Sequence, residues 1–464
     1  MTVAAPPLAL PVEAMRQPVI EGATRPLAWR LEQLGRLETL LSDLEADLLE
    51  ALARDLGKPP LEAYFELVGV REELKHTRRH LKRWMAGRRI SMPAWSWPAR
   101  AKLRPEPLGC VLILGPWNYP FQLCLQPLIS ALAAGNTVVL KPSEFAPHTA
   151  QLIASRLERL FPPSIVQVVQ GDGQVGAQLL EMRFDHIFFT GGGRVGRLVM
   201  AAAARHLTPI TLELGGKSPA IVLADAPIAT TARRLVWGKG LNAGQTCVAP
   251  DHLLVVPEVM EPLLAAIADQ IRALYGPDPL ASADLGRLVN LPQFDRLAAL
   301  LAEAERRGQV LLGGRSNREE RRIEPTLLRV DDPDQDPLMQ EELFGPLLPV
   351  VRVSDLDAAI GRVQAGPKPL ALYLFGQRAE DRERLRLRTS SGSLAFNDVV
   401  VQVGAPQLPL GGVGESGMGA YHGQTGFLTF SHQRSILEQR FWPDIAFRYP
   451  PYAGKLPTVR RLLG

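Results

Sequence analysis

Residues 109–140, GCVLILGPWNYPFQLCLQPLISALAAGNTVVL, run for 32 positions without an Asp, Glu, Lys or Arg. Length alone would allow a membrane span, which needs about 20 apolar residues. Pro116, Pro120 and Pro127, with Asn118 and Gln122 between them, break such a helix. The stretch therefore reads as a buried strand at Val111–Leu114, a loop, a core helix and a second buried strand at Thr137–Leu140.

Working outward, short β-rich runs continue at Ile165–Val169, His186–Phe189 and Ile210–Leu214, each separated by a segment of helix length. That alternation predicts a parallel, doubly wound α/β sheet. It resumes at His252–Val256 and continues through Leu370–Phe375, which predicts a second α/β unit. Upstream, Leu31, Leu34, Leu37, Leu41, Leu44, Leu48 and Leu49 recur at helical spacing and predict one helix from Leu27 to Leu56, stopped by Gly57 and Pro59. A second helical pattern runs from Leu61 to Met85. The opening MTVAAPPLALPVEAMRQ has three prolines and no basic residue ahead of its apolar run, so it reads as a loose arm rather than a signal peptide.

The 464 residues are 46% hydrophobic, enough for a large core and too many for one ordinary domain. Forty Gly and forty Pro indicate a loop-rich protein without low-complexity tracts. The net charge of +4 does not by itself imply nucleic acid. Its distribution is uneven, because Lys75–Pro105 holds ten Lys or Arg and no acid, interleaved with Trp84, Trp95 and Trp97. We read this stretch as a solvated helix face running into a subunit contact, with lipid headgroups or phosphates as the alternative partner. Cys110, Cys124 and Cys247 have no metal-ligand spacing and are too few for a disulfide framework, which suits a reducing cytoplasm.

The pattern G-x-G-x-x-G occurs at Gly171–Gly176, Gly191–Gly196 and Gly412–Gly417. Three occurrences in one chain leave the choice to context, which requires a strand, a tight turn and a helix whose amides meet a pyrophosphate. The first follows a strand but lacks an acid about 20 residues on, and the third reads as a loop against a packed surface. The second fits the context, and a mechanical reading would make Glu213 its ribose acid.

Five further motifs change that assignment. Asn242-Ala-Gly-Gln-Thr-Cys247, Glu213-Leu-Gly-Gly-Lys217, Pro116-Trp-Asn-Tyr-Pro120, Lys141-Pro-Ser-Glu144 and Glu341-Glu-Leu-Phe-Gly-Pro346 together resemble the aldehyde dehydrogenase superfamily from about Leu27 to Tyr452. The tail from Leu408 to Gly423, followed by Thr429-Phe-Ser-His432, resembles the class 3 branch of fatty and aromatic aldehyde dehydrogenases. The resemblance implies an α/β architecture with a Rossmann-like cofactor domain (1–88 and 105–213), an α/β catalytic domain (214–390) and a small bridging element for dimers (89–104 and 391–464).

The resemblance also implies roles. Cys247 becomes the nucleophile, Asn118 the oxyanion donor and Glu213 the general base. Lys141 and Glu144 take the adenosine ribose, and Gly191, Gly192, Gly193, Val195 and Gly196 form the pyrophosphate turn. Glu342 and Phe344 hold the nicotinamide end, while Trp117 and Tyr119 flank Asn118 at the aldehyde's entry. The implied reaction is NAD(P)-dependent oxidation of medium or long aliphatic, or aromatic, aldehydes, with NAD preferred and NADP possible. A coenzyme A-acylating enzyme of the same fold is the alternative, and a nucleic-acid or structural protein using the basic stretch is a distant one. The implied partners are an aldehyde and a second copy of the chain, with no metal, no nucleic acid and no transmembrane anchor. Superfamily members often carry a hydroxyl or amide side chain where this chain has Gly192 and Gly193, which predicts looser pyrophosphate binding.

Overall fold

The computed structural model describes residue 8 and residues 10–463. The charge-free stretch folds as a strand, Cys110–Leu114, a helix, Gln122–Ala134, and a strand, Thr137–Lys141. Both strands are buried at all five positions, and the helix is buried almost all round because further helices cover its outer face. Gly135, at φ +90°, ends the helix in the left-handed conformation that a Cβ would penalise. Truncating a fully buried leucine here, such as Leu128, is expected to cost about 2–5 kcal/mol.

These strands lie inside a six-stranded sheet with the order Gly417–Met418, Ile210–Glu213, His186–Thr190, Cys110–Leu114, Thr137–Lys141, Val166–Val168. All neighbours run parallel except Gly417–Met418, which is antiparallel to Ile210–Glu213. The register pairs Leu114 with Phe189 and Thr190 with Glu213, so the loops that follow leave the sheet on one edge. The crevice beyond the carboxyl ends of parallel strands is where open α/β sheets bind ligands.

A second sheet has seven strands, in the order Val310–Leu312, Thr326–Val330, Leu347–Arg352, His252–Val255, Pro219–Val222, Ala371–Phe375, Ser393–Phe396. It is parallel apart from its first pair. A third, antiparallel sheet joins Arg88–Ile90, Arg100–Pro107 and Ser431–Glu438. Two strands of the 391–464 stretch join the large sheets instead: Ser393–Phe396 closes the seven-stranded sheet, and Gly417–Met418 closes the six-stranded one.

Two local expectations are corrected. The leucine repeat from Leu27 to Leu56 forms two helices, Leu27–Ser42 and Glu45–Leu56. The Ser42 hydroxyl lies 2.7 Å from Thr39 O and 2.9 Å from Asp43 Oδ1, with one proton to donate between them, a local bond that competes with the helical ladder as Asp43 leaves it. Leu44 and Leu48 stay buried across the break, which is why the periodicity conceals it. The supposed arm contains a helix, Val12–Ile20, packed on the six-stranded sheet; residues 1–7 and 9 lie outside the described residues. Met15 is fully buried, the Thr137 hydroxyl donates to Met15 O (2.8 Å), and Arg16 Nε donates to Asp185 (2.8 Å). Among the described residues no helix is long and apolar enough to cross a membrane.

The acid-free stretch Lys75–Pro105 spans the end of helix Pro60–Met85 and two strands of the small sheet. Two of its ten cations meet acids from other segments, Arg78 with Glu38 and Lys102 with Glu438. It is a partly neutralised surface rather than a uniform field.

Candidate active site

Cys247 follows a short turn, Leu241–Gly244, in which Asn242 and Ala243 take positive φ (+51° and +54°). Four bonds hold that strained turn. The Asn242 amide donates to Glu62 Oε2 (2.8 Å), and Gln245 Nε2 donates to the carbonyls of Asn242 and Arg287 (2.9 Å each). Gln245 Oε1 accepts the Val289 amide (2.9 Å). Asn242 and Gln245, which the sequence offers only as part of a motif, are thus the frame of the cysteine turn.

Burial pushes all three thiols up to about 12. Acidity therefore does not distinguish them, but access does. Cys110 and Cys124 are 0% exposed, whereas Cys247 is half-buried and lines a cavity of about 670 Å³. Beyond burial, the charges of Glu342 and Glu213 raise the Cys247 thiol, and the amides of Cys247 and Val248 pull it down.

The cavity joins the loops of both large sheets. Trp117 and Asn118 come from the loop after Cys110–Leu114, and Gly191–Gly193 and Val195 from the turn after His186–Thr190. Glu213 ends its strand, and Glu342 and Phe344 reach in from beyond Thr326–Val330. Asn118 Nδ2 donates to Gln245 O (3.2 Å), and Asn118 O accepts Asn242 Nδ2 (2.9 Å), so the two motif loops are tied together.

Glu213 is 4% exposed, and neither carboxylate oxygen has a hydrogen-bond partner among the described residues. Burial holds its carboxyl well above the usual range. Burial also raises Glu342 to about 8, with the charge of Asp251 adding to the effect. A Cβ on Gly215 would sit 2.0 Å from Glu342 Oε2, so a larger residue there would have to displace that carboxylate. The loop bearing Glu342 and Phe344 is anchored by Lys217, whose Nζ pairs with Asp251 and donates to Leu338 O (2.8 Å) and Glu341 O (2.9 Å). Asp251 Oδ1 accepts the Leu343 amide (2.8 Å), and the Phe344 ring stands edge-on to Trp117 at 5.3 Å.

The structure separates the three glycine patterns. At Gly171–Gly176 the Asp172 side chain already accepts the amides of Gln174 (2.9 Å) and Val175 (3.3 Å), so that helix start is capped. At Gly191–Gly196 the helix Gly193–Ala204 begins with no side-chain cap among the described residues, and a Cβ at Gly192 would meet none of them within 4 Å. Open space before uncapped amides is the donor set a diphosphate needs, so these residues fit a dinucleotide. Gly196 stands behind, where a Cβ would lie 2.9 Å from Leu214. At Gly412–Gly417 the chain turns tightly, and Ser416 O accepts the Leu214 amide (3.1 Å), buttressing the strand end that carries Glu213.

Lys141 and Glu144 are not among the walls of this cavity. They form an ion pair at 3.2 Å at the end of Thr137–Lys141, and Lys141 lies alongside Gly176. Tyr119 faces a different space, with its hydroxyl hydrogen-bonded to Thr246 (2.7 Å). That space is an apolar channel of about 330 Å³ lined by Phe65, Val68, Trp237, Val401 and Val403. Cys247, Leu123, Leu410 and Tyr421 form the wall common to both cavities. Sequence reasoning missed Glu62 and Tyr421, because one sits in a helix and the other reaches the site through a strand pairing far along the chain.

The family model described as "Aldehyde dehydrogenase family" matches residues 11–436. The chain belongs to the aldehyde dehydrogenase family. This aldehyde dehydrogenase is 45% identical to human "Aldehyde dehydrogenase family 3 member B1" over 98% of this chain and 97% of that protein. It is 42% identical to rat "Aldehyde dehydrogenase, dimeric NADP-preferring", over 96% and 98% respectively. The solved structure titled "Substrate bound state of Staphylococcus Aureus AldH" superposes with a TM-score of 0.93 at 39% identity, covering 97% of this chain and 98% of that one. The chain is thus an NAD(P)-dependent aldehyde dehydrogenase of the class 3 branch, which oxidises aldehydes.

Proposed function

We propose that Cys247, its thiol proton passing to water, attacks the aldehyde carbon as the thiolate from the wall that divides the two cavities. The observation that carries this reading is the convergence of an accessible thiol, an unpartnered buried carboxylate at Glu213 and the Asn118 amide on one cavity. Sulfur addition places negative charge on the former carbonyl oxygen, where Asn118 Nδ2 and the Cys247 amide donate. Removing such a donor typically slows a reaction by ~10²–10³. When bound, NAD(P) supplies the acceptor for the hydride that this adduct releases. The cysteine is left as a thioester.

Glu213 then takes a proton from water, and the hydroxide attacks the thioester carbon, releasing the carboxylic acid and restoring the thiol. A carboxyl raised by burial is protonated at low pH, so hydrolysis quickens as pH rises through its range. A carboxylate with no protein partner suits a water nucleophile, and no residue of the site favours coenzyme A. Gly191, Gly192, Gly193, Val195 and Gly196 take the pyrophosphate, Lys141 and Glu144 the adenosine ribose, and Glu342 and Phe344 the nicotinamide end. A carboxylate beside the ribose favours NAD, while Lys141 leaves NADP usable.

The channel past Tyr119 takes the aldehyde's tail, and its apolar walls suit medium or long aliphatic and aromatic groups. The six-stranded unit serves the cofactor, the seven-stranded unit carries the nucleophile, and the small sheet bridges to a second copy. Ser431–Glu438 and Ser393–Phe396 each end a sheet with one edge unpaired among the described residues, and such edges template strand addition in a homodimer. Three free thiols suit a reducing cytoplasm. Following NADH and NADPH formation across an aldehyde panel, with Cys247→Ala beside the wild type, tests the reading. Undiminished activity in that variant overturns it.

A further inference from the structure

The loop that presents Asn118 is gripped by two charged residues that the mechanism above leaves unused. Lys58 lies in the Gly57–Pro59 connection, and Glu66 lies in the second turn of helix Pro60–Met85. Both side chains are 0% exposed, and they hydrogen-bond to each other. Lys58 Nζ also donates to Asn118 O at 2.8 Å and sits 3.9 Å from the centre of the Tyr119 ring. Glu66 Oε2 accepts the amides of Phe121 and Gln122, each at 3.1 Å.

Burying two ions is costly, and a well-packed apolar pair of the same volume is often as stable or more so. The return on these charges therefore has to be sought in what they hold. They hold one loop at two points: Lys58 fixes the carbonyl of Asn118, and Glu66 fixes the amides where the loop enters helix Gln122–Ala134. Between those points the Asn118 side chain spends one N–H on Gln245 O, and its other N–H has no acceptor among the described residues. A hydrogen bond weakens steeply with angle, and a misplacement of about 1 Å in a site can cost ~10²-fold in rate.

We propose that the buried Lys58–Glu66 pair is a positioning device for the oxyanion donor, pinning the Pro116–Gln122 loop so that the free N–H of Asn118 stays aimed at the substrate oxygen. The inference rests on the reading of Asn118 given under Proposed function. It concerns residues that touch neither substrate nor cofactor and act only through Asn118.

The test is a double-mutant cycle on the first-turnover rate of NADH formation, with active sites titrated and the cofactor dissociation constant measured in parallel. The variants are Lys58→Met, Asn118→Ala and their combination. The charge-free pair Lys58→Met/Glu66→Gln, alone and with Asn118→Ala, keeps the cycle available where a lone buried Glu66 charge prevents folding. Removing Lys58, or both charges, is expected to slow the first turnover at least ~10-fold with cofactor binding unchanged, and to add nothing once Asn118 is Ala. Two results overturn the proposal: lower thermal stability with an unchanged rate per active site, or a slowing that multiplies fully with that of Asn118→Ala. An unchanged rate in Asn118→Ala itself is a separate failure, that of the Asn118 reading.

Discussion

The two cavities that meet at Cys247 are built from different materials. On one side the walls are glycine backbone, uncapped helix amides and carboxylates, Glu213 and Glu342. On the other they are Phe65, Val68, Trp237, Val401 and Val403. The first can satisfy a charged, hydrogen-bonding ligand, and the second offers mainly apolar area, with Glu62, Glu72 and Gln122 among its lining. The contrast teaches that the cysteine sits on a boundary between two solvents, with the chemistry confined to the wall between them.

The largest expected effect breaks the wall itself. Cys247→Ala should lower aldehyde oxidation by at least ~10³-fold, because residues acting as a unit lose most of their effect when the nucleophile goes. Asn118→Ala should slow the first turnover by ~10²–10³ while leaving cofactor binding intact, which stopped-flow absorbance reads directly. On the apolar side, each methylene added to a straight-chain aldehyde should raise kcat/KM by roughly three- to fourfold until the channel is full, from ~0.8 kcal/mol per buried CH₂. Val68→Asp should flatten that series, and a flat series in the wild type would count against the channel.

On the polar side the effects are smaller. Gly192→Ser has room for its Cβ and adds a donor at the uncapped helix start, so cofactor should bind about three- to tenfold tighter by titration. Glu342, raised to about 8, acquires its charge as pH climbs past that value and then opposes thiolate formation at Cys247. Glu342→Gln should therefore speed alkylation of Cys247 by iodoacetamide a few-fold above about pH 8, with little change near pH 6.

What the sequence reveals follows the same divide between uniform and mixed surroundings. Cys110–Leu114 and Thr137–Lys141 are legible because each is buried at every position and reads as an unbroken apolar run. Ser431–Glu438, mostly exposed, and Ser393–Phe396, half-buried, carry no such signature, since their pairing is decided by distant backbone. The helix Val12–Ile20 is hidden by Pro11 and Pro18, and the break at Asp43 by leucines that keep their spacing across it. In the site, Cys247, Glu213 and Asn118 stand in motifs with local context. Glu62, Lys58 and Glu66 do not, because their value lies in which loop they hold, and that is a matter of packing across more than 50 residues of chain.

The mechanism turns on a covalent acyl group at the boundary cysteine. Glu213→Gln, incubated with NAD and an apolar aldehyde, should accumulate the thioester, so intact-mass and peptide mass spectrometry should find one acyl group per chain on the peptide containing Cys247. No acyl adduct in a variant that still forms a first turnover of NADH, or an adduct on Cys110 or Cys124, would contradict it.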